Sequence, residues 1–434
     1  MDTRLLRLEK AAPIVFGSLT SPGATRTIAL YIHYDGQPVD PEMWQTGDPF
    51  EPALYTDAID KGGIRIPMPD AGEPVDPDWR LYARASSDDK GPLAAMLGAL
   101  DAIHAQGLFP SVNLVFFFEG EEEDGSPHLA QYLDTYDELL SDIDLWLFCD
   151  GPIHQSGRQQ LMFGVRGITG LDITIYGATR PLHSGHYGNW APNPALMLSQ
   201  LLASMKDHDG NVLIEGFFDT IEPLTALEQE ALANVPPVDA MLLNDLQLAR
   251  SEGSEPYAQR LLLPSLNIRG IRSANVGSGA RNIVPNIASA SLDVRLVKGC
   301  DPEHMLDLVE RHIEAQGYHI VRDEPDEETR RRHPRIAKIM RASGYPSART
   351  SMDVPIVRDV IEAAQNTAGN DLVLLPSLGG SLPLYLFTDG LGKPIVICPV
   401  VNHDNNQHAE DENVRLGNLL DGIELLASIF MMDS

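Results

Sequence analysis

Cysteine is scarce in this 434-residue chain: only Cys149, Cys300 and Cys398, far apart and odd in number. Three such residues make no disulfide framework, and without a Cys-x-x-Cys pair they offer no thiolate metal site. The expectation is a reducing, cytoplasmic setting. Basic residues are also few. Lys and Arg total 32 against 62 Asp and Glu, a formal net charge of −30. That surplus repels phosphate backbones and anionic lipid heads, so it argues against nucleic-acid and membrane partners. Long apolar runs are missing as well. The stretch Leu114 to Phe118 falls far short of the ~20 residues that span a bilayer. The opening segment, MDTRLLRLEKAAPIVFG, mixes acids with bases and has no long apolar core, unlike a secretory signal. No repeat or low-complexity tract stands out. What the chain does have is 43% hydrophobic residues, enough for a real core. Its length predicts two to three domains at about 150 residues each.

From about Thr27 to Asp150, strand-like runs (TIALYIHY, SVNLVFFF, DLWLFC) alternate with helical ones (GPLAAMLGALDAIHAQG, LDTYDELLSDI). This alternation predicts an α/β fold: a mostly parallel sheet with helices on both faces. In the first helix Leu93, Met96, Leu97, Leu100 and Ile103 recur at helical spacing, and Pro92 suits its first turn. The polar stretch Gln37 to Asp78 is too long for a turn and reads as an insertion on the rim. Beyond Leu161 the order changes. GLDITIYG, the helix ALMLSQLLASM, the strands LPSLNIRGI and ASASLDVRLV, and the helix DPEHMLDLVERHIEAQG suit a smaller α+β unit. The run Asp323 to Arg335 is charged and apolar-poor, as in a linker or exposed crossover. DLVLLPSL, KPIVICPV and NLLDGIELLASIFMM then return to alternation. The expected division is one domain made of residues 1–164 and 336–434, interrupted by an inserted domain at 165–335.

Acids and histidines sit just after the strand-like runs: His33 and Asp35; Asp88 and Asp89; Glu119, Glu121, Glu122 and Glu123; Asp150; His403 and His408. Open α/β sheets bind ligands at the carboxyl ends of their strands, so this placement matters more than the number of residues. Each segment alone has a bland reading. His-x-Asp arises by chance, EGEEEDGS suits a solvated loop, and Asp88–Asp89 suits a helix N-terminus. Asp150 suits a turn, and either late histidine a structural hydrogen bond. Five segments converging on one sheet edge are harder to dismiss. Imidazoles and carboxylates together suit Zn²⁺ or a similar divalent ion. Two histidines and three carboxylates can hold two ions if one carboxylate bridges them, at roughly 3.5–4 Å separation. Such a site also needs one carboxylate free of metal, to take a proton from water.

In this order the blocks H-x-D at His33–Asp35, S-D-D-K-G at Ser87–Gly91, E-G-x-E-E-x-G-S at Glu119–Ser126, Asp150 and His408 resemble the co-catalytic metallopeptidase family. That family includes carnosine dipeptidases, glutamate carboxypeptidases, aminoacylases and succinyl-diaminopimelate desuccinylases. The resemblance spans nearly the whole chain. It implies that His33 and Asp150 bind one ion, Glu123 and His408 the other, and that Asp88 bridges both. Zinc is the implied metal, with manganese or cobalt as alternatives. Asp35 would orient His33, and Glu122 would be the general base. Family members often hold the peptide corresponding to Asp88–Asp89 as cis. Ile32 stands where the family usually has Gly, and His408 fits the family's ending, here HAEDEN, better than His403 does.

The inserted domain would be a lid and dimerisation unit of a homodimer. Within it RPLHSGHYGN resembles the carnosine-dipeptidase branch. His183 would reach the partner subunit's active site to steady the oxyanion, while His186 has no such role. GSGARNIVP and SLDVRLV would place Asn282 near the substrate or the oxyanion and Arg295 on the substrate's terminal carboxylate. The family often has Thr at the Asn282 position, and Arg295 has Asp293 as an alternative partner. Ser381 in SLGGSLP would hydrogen-bond the same carboxylate. The implied activity is hydrolysis of the amide bond of a small dipeptide-like substrate with a free carboxylate. The same machinery would also serve a deacylase of N-acyl or N-carbamoyl amino acids. A non-catalytic cation- or peptide-binding protein is a third reading, but EGEEEDG lacks EF-hand spacing.

Overall fold

The computed structural model describes residues 2–433. Eight strands form the larger sheet, in the order Asp2–Leu6, Ile14–Leu19, Asn113–Glu119, Thr27–His33, Leu145–Phe148, Ile395–Ile397, Gln160–Met162 and Val373–Leu375. The central strands run parallel: Thr27–His33 between Asn113–Glu119 and Leu145–Phe148, and Ile395–Ile397 beside Leu145–Phe148. Antiparallel pairs join the first three strands of the order and link Ile395–Ile397 to Gln160–Met162.

The central strands read as unbroken apolar runs because both faces are covered. Successive side chains point to opposite faces. Ile28, Leu30, Ile32, Leu114, Phe116 and Leu147 therefore pack with Met96, Val360 and Ile429 of the helices Lys90–Ala105, Pro355–Ala368 and Leu416–Phe430. Ala29, Tyr31, Phe117, Trp146 and Phe148 meet Leu129, Tyr132 and Phe387 on the other side. This is the predicted α/β layering. Within the helix Lys90–Ala105 the expected apolar face differs at one position: Leu97 is 51% exposed, while Ala95 and Ala99 are buried.

The hairpin Asp2–Leu6/Ile14–Leu19 had no strand reading in the sequence. The rim stretch supplies Ala53–Tyr55 and Arg65–Ile66 to a small sheet with Arg80–Tyr82, just after it, and Asn413–Arg415 from far along the chain.

A second sheet has five strands, ordered Ser265–Ser273, Ile287–Leu296, Gly167–Tyr176, Ile336–Tyr345 and His319–Val321. One face carries the helices Pro194–Met205 and Pro302–Ala315, which share a separate core with Ile173, Ile175, Leu292 and Val294. The boundary expected at 335 falls too early for this sheet. Ile336–Tyr345 pairs with Gly167–Tyr176 from Ile175↔Ala337 to Ile168↔Tyr345, so the unit continues through 345. The charged run that suggested a boundary forms the short exposed helix Glu327–Arg332 inside the unit. Gly164–Val165 and Ala348–Arg349 pair where the chain crosses between the two sheets. Among the described residues no helix is long and apolar enough to cross a membrane.

Candidate metal centre

Parallel register brings His33 opposite Glu119 at the carboxyl ends of the central strands, and Asp150 follows the adjacent strand Leu145–Phe148. Asp88 and Asp89 enter from the loop before the helix Lys90–Ala105, through a cis Asp88–Asp89 peptide. Glu122 and Glu123 sit on the single turn Glu122–Asp124, and His408 on the loop after Ile395–Ile397.

Asp88 is the hub. Its Oδ1 lies 2.9 Å from Nε2 of His33, and its Oδ2 lies 2.9 Å from Nε2 of His408. One carboxylate thus presents one oxygen to each of two imidazoles. His408 Nε2 is also 3.2 Å from Glu123 Oε2. Donor atoms of His33, Asp88 and Glu123 lie within 4.8 Å of one another, and so do those of His33, Asp89 and Asp150. The five residues expected as ligands therefore come together. The Glu122 carboxylate stands 3.9 Å from His33 Nε2 and has no hydrogen-bond partner among the described residues.

So many carboxylates in one place perturb each other. Burial, then the charge of Asp150, pushes Glu122 up to about 8, and burial with Asp88 pushes Asp150 up to about 6. Burial opposes the charged form of His33, yet hydrogen bonds to Asp35 and Asp88 raise its pKa well above the usual range. Burial likewise opposes the Asp88 anion, but His33 and His408 hold it low. The cluster is short of positive charge. The donor set of two imidazoles and several carboxylates fits divalent cations, and Oδ1 of fully buried Asp89 has no hydrogen-bond partner among the described residues.

Supporting contacts fix the geometry. Asp35 Oδ1 lies 3.2 Å from His33 Nδ1, while its Oδ2 accepts from the Glu123 N–H at 3.1 Å. One side chain thus sets both the His33 ring and the Glu123 turn. Gln37 Nε2 donates to Glu123 Oε2 at 2.7 Å.

Glu412 is fully buried. Its Oε1 accepts from Ser87 N, Ser87 Oγ and Asp88 N at 2.9, 2.8 and 2.9 Å. Its Oε2 accepts from Arg84 Nη1 at 2.8 Å and Ala85 N at 2.9 Å. Sequence reasoning assigned no role to Gln37, Asp89 or Glu412. The only signal for Glu412 was its place four residues after His408. Glu121 is turned away, to His128 and the Ala12 N–H at 2.8 Å each. His403 is exposed and outside the cluster.

The remaining expected site residues form two other groups, one within the inserted unit and one that links it to Ser381 outside it. His183 and Asn282 are exposed neighbours, joined by Ser184 N donating to the Asn282 carbonyl at 2.9 Å and by the pair His183↔Ile283. Among the described residues neither has a contact with the candidate metal cluster. Arg295 Nη1 donates to Ser381 Oγ at 2.7 Å, and its Nε also lies 3.5 Å from Asp293, so the alternative pairing is present too.

The family model "Peptidase family M20/M25/M40" matches residues 29–432. The Cys-Gly metallodipeptidase DUG1 of Candida albicans is 27% identical, covering 95% of this chain and 80% of that protein. The Beta-Ala-His dipeptidase of Homo sapiens is 24% identical, covering 96% of this chain and 77% of that protein. Among solved structures, an M20 family metallo-carboxypeptidase from Sulfolobus solfataricus superposes with a TM-score of 0.75 at 27% identity, covering 99% of this chain and 90% of that one. Human carnosine dipeptidase 1 shares the fold, with a TM-score of 0.67 at 22% identity, covering 99% of this chain and 87% of that one.

Proposed function

The chain belongs to peptidase family M20/M25/M40, and from that premise we propose that it hydrolyses small dipeptides bearing a free carboxyl terminus. The observation that carries this reading is Asp88 shared between His33 and His408 with the Glu122 carboxylate unengaged beside them. The dipeptidase names of its relatives support the substrate class. His33, Asp150, Asp88, Glu123 and His408 would hold two divalent cations, zinc first and manganese or cobalt next. Bound there, such cations supply an acidified water and a polarised carbonyl.

The protein's own groups do the rest. Glu122 takes the proton from the attacking water and returns it to the leaving amine. Asp35 keeps the His33 ring fixed, leaving Nε2 to face the cluster. Arg295, steadied by Ser381, grips the terminal carboxylate and so positions the scissile bond. His183 and Asn282, exposed and without a contact to the cluster of their own chain among the described residues, act at the site of a second copy in a homodimer. The buried free thiols of Cys149, Cys300 and Cys398 support a reducing compartment, the cytoplasm.

A metal-supplemented screen of dipeptides against N-acyl and N-carbamoyl amino acids tests the reading. Amine release from dipeptides alone supports it. Release only from the acyl compounds replaces it with a deacylase, and none from either overturns both.

A further inference from the structure

A cavity of about 560 Å³ lies in the inserted unit, among residues that take no part in the metal cluster. Its size suits a small ligand. Its wall is largely aliphatic and aromatic, with Val212, Phe218, Leu243, Leu248, Leu261 and Leu263 among the lining side chains. Phe218 and Leu248 remain 40% and 52% exposed. Apolar surface of this kind, gathered around a hollow, marks an interaction site rather than scattered exposure.

The charges in the wall are nearly all accounted for. Lys206 pairs with Glu252 at 2.8 Å, Arg260 pairs with Glu255 at 3.0 Å, and Asp239 accepts from the Tyr257 N–H at 2.9 Å. Arg166 is the exception. It is only 7% exposed, yet no carboxylate pairs with it among the described residues. Its Nη2 donates to the Leu263 carbonyl at 2.7 Å and Ser265 Oγ at 3.0 Å, while its Nε has no partner among the described residues. Burial and the nearby Arg295 draw its pKa down to about 10, so it still carries its charge at neutral pH. A buried cation without a counter-ion is costly, and a bound anion relieves that cost.

We propose that this cavity is a second ligand site, separate from the metal cluster, for a small apolar carboxylate whose tail lies among the leucines and whose head meets Arg166. The position has a consequence for the known architecture. Arg166 immediately follows the crossing between the two sheets, and its N–H donates to the Gly380 carbonyl at 3.0 Å, next to Ser381. A ligand there touches the joint between the units.

Calorimetric titration of the metal-loaded full chain tests this, with octanoate as probe. Octan-1-ol, which keeps the tail, and acetate, which keeps the head, serve as comparisons. Octanoate should bind about tenfold or more tightly than either, the difference expected for one charge-assisted hydrogen bond and for the buried tail. Arg166→Gln should lose that margin. Leu243→Trp, which fills the cavity, should abolish binding without lowering the unfolding temperature, and it carries the test if Arg166→Gln does not fold. Arg295→Ala should bind octanoate as the parent does. Equal binding of octanoate and octan-1-ol overturns the proposal. So does binding that survives Leu243→Trp, which locates the probe at the metal centre, or no binding at millimolar octanoate.

Discussion

Replacing Glu412 by Gln isolates the carboxylate that holds the Asp88 loop. The fully buried Glu412 accepts five hydrogen bonds across its two oxygens, three at Oε1 and two at Oε2. An amide keeps one acceptor and puts an NH₂ where the other was. The best orientation leaves the carbonyl with Ser87 and Asp88 and turns the NH₂ toward two donors, Arg84 Nη1 and the Ala85 N–H. Buried Arg84 then loses its counter-ion. Breaking one side of a buried pair costs about 3–5 kcal/mol, and two charge-assisted hydrogen bonds at about 1.5–3 kcal/mol each reach the same range. The loss falls on residues 84–88, so Asp88 is misaimed as well as less stably held. Urea unfolding should show a destabilisation of about 3–5 kcal/mol, and zinc titration should show weaker binding of both ions. A Glu412→Gln variant within about 1 kcal/mol of the parent, at the error of the extrapolation, and with unchanged zinc affinity refutes the reasoning.

Three further outcomes follow from the same geometry. Glu122→Gln should keep full metal content by elemental analysis yet lose about 10²–10⁴-fold in kcat, the usual worth of a positioned acid–base group; near-normal turnover removes Glu122 from that role. Without metal, stability should fall as pH rises from about 5 to 8. Glu122 and Asp150 have raised pKa values of about 8 and about 6, so in this window the folded state holds protons that the unfolded chain has released. His33, raised above its ordinary value, acts in the same direction above about pH 6.5, while lowered Asp88 contributes its slope only below about pH 4. Thermal unfolding in chelator at pH 5.5 and pH 8 checks this, and added zinc should restore the midpoint at pH 8. Finally, mixing Glu122→Ala with His183→Ala protomers should restore activity that neither has alone, while a mixture as inactive as its parts rules out a shared site.

The candidate metal cluster was legible because each expected ligand sits in a short local pattern. Strand register then does the assembly, as with His33 opposite Glu119. The contacts that brace the cluster were not legible in the same way. Glu412 meets residues more than 320 positions away, and no local periodicity encodes such a pairing. Gln37 reaches Glu123 across 86 positions from within a stretch whose composition says only that it is polar. The edge strand Asp2–Leu6 was missed because it is mostly exposed and lacks the unbroken apolar run of the buried strands. At 335 charge was mistaken for a boundary. A surface helix joining neighbouring strands of one sheet is as charged as a linker, and only the pairing of Ile336–Tyr345 tells the two apart. His183 and Asn282 found each other through a two-residue ladder, which the sequence suggested only by resemblance.

The small rim sheet has a bearing on how the molecule comes to be active during synthesis. Its strand Asn413–Arg415 closes onto Arg80–Tyr82, and the adjoining residues His408 and Glu412 reach back to Asp88. A chain still short of these residues has most of the cluster's acids but neither the second imidazole nor the brace for Asp88. The cluster therefore assembles only once residues 408–415 have been made, since any stretch of chain that stops before them lacks one imidazole and the Glu412 contact.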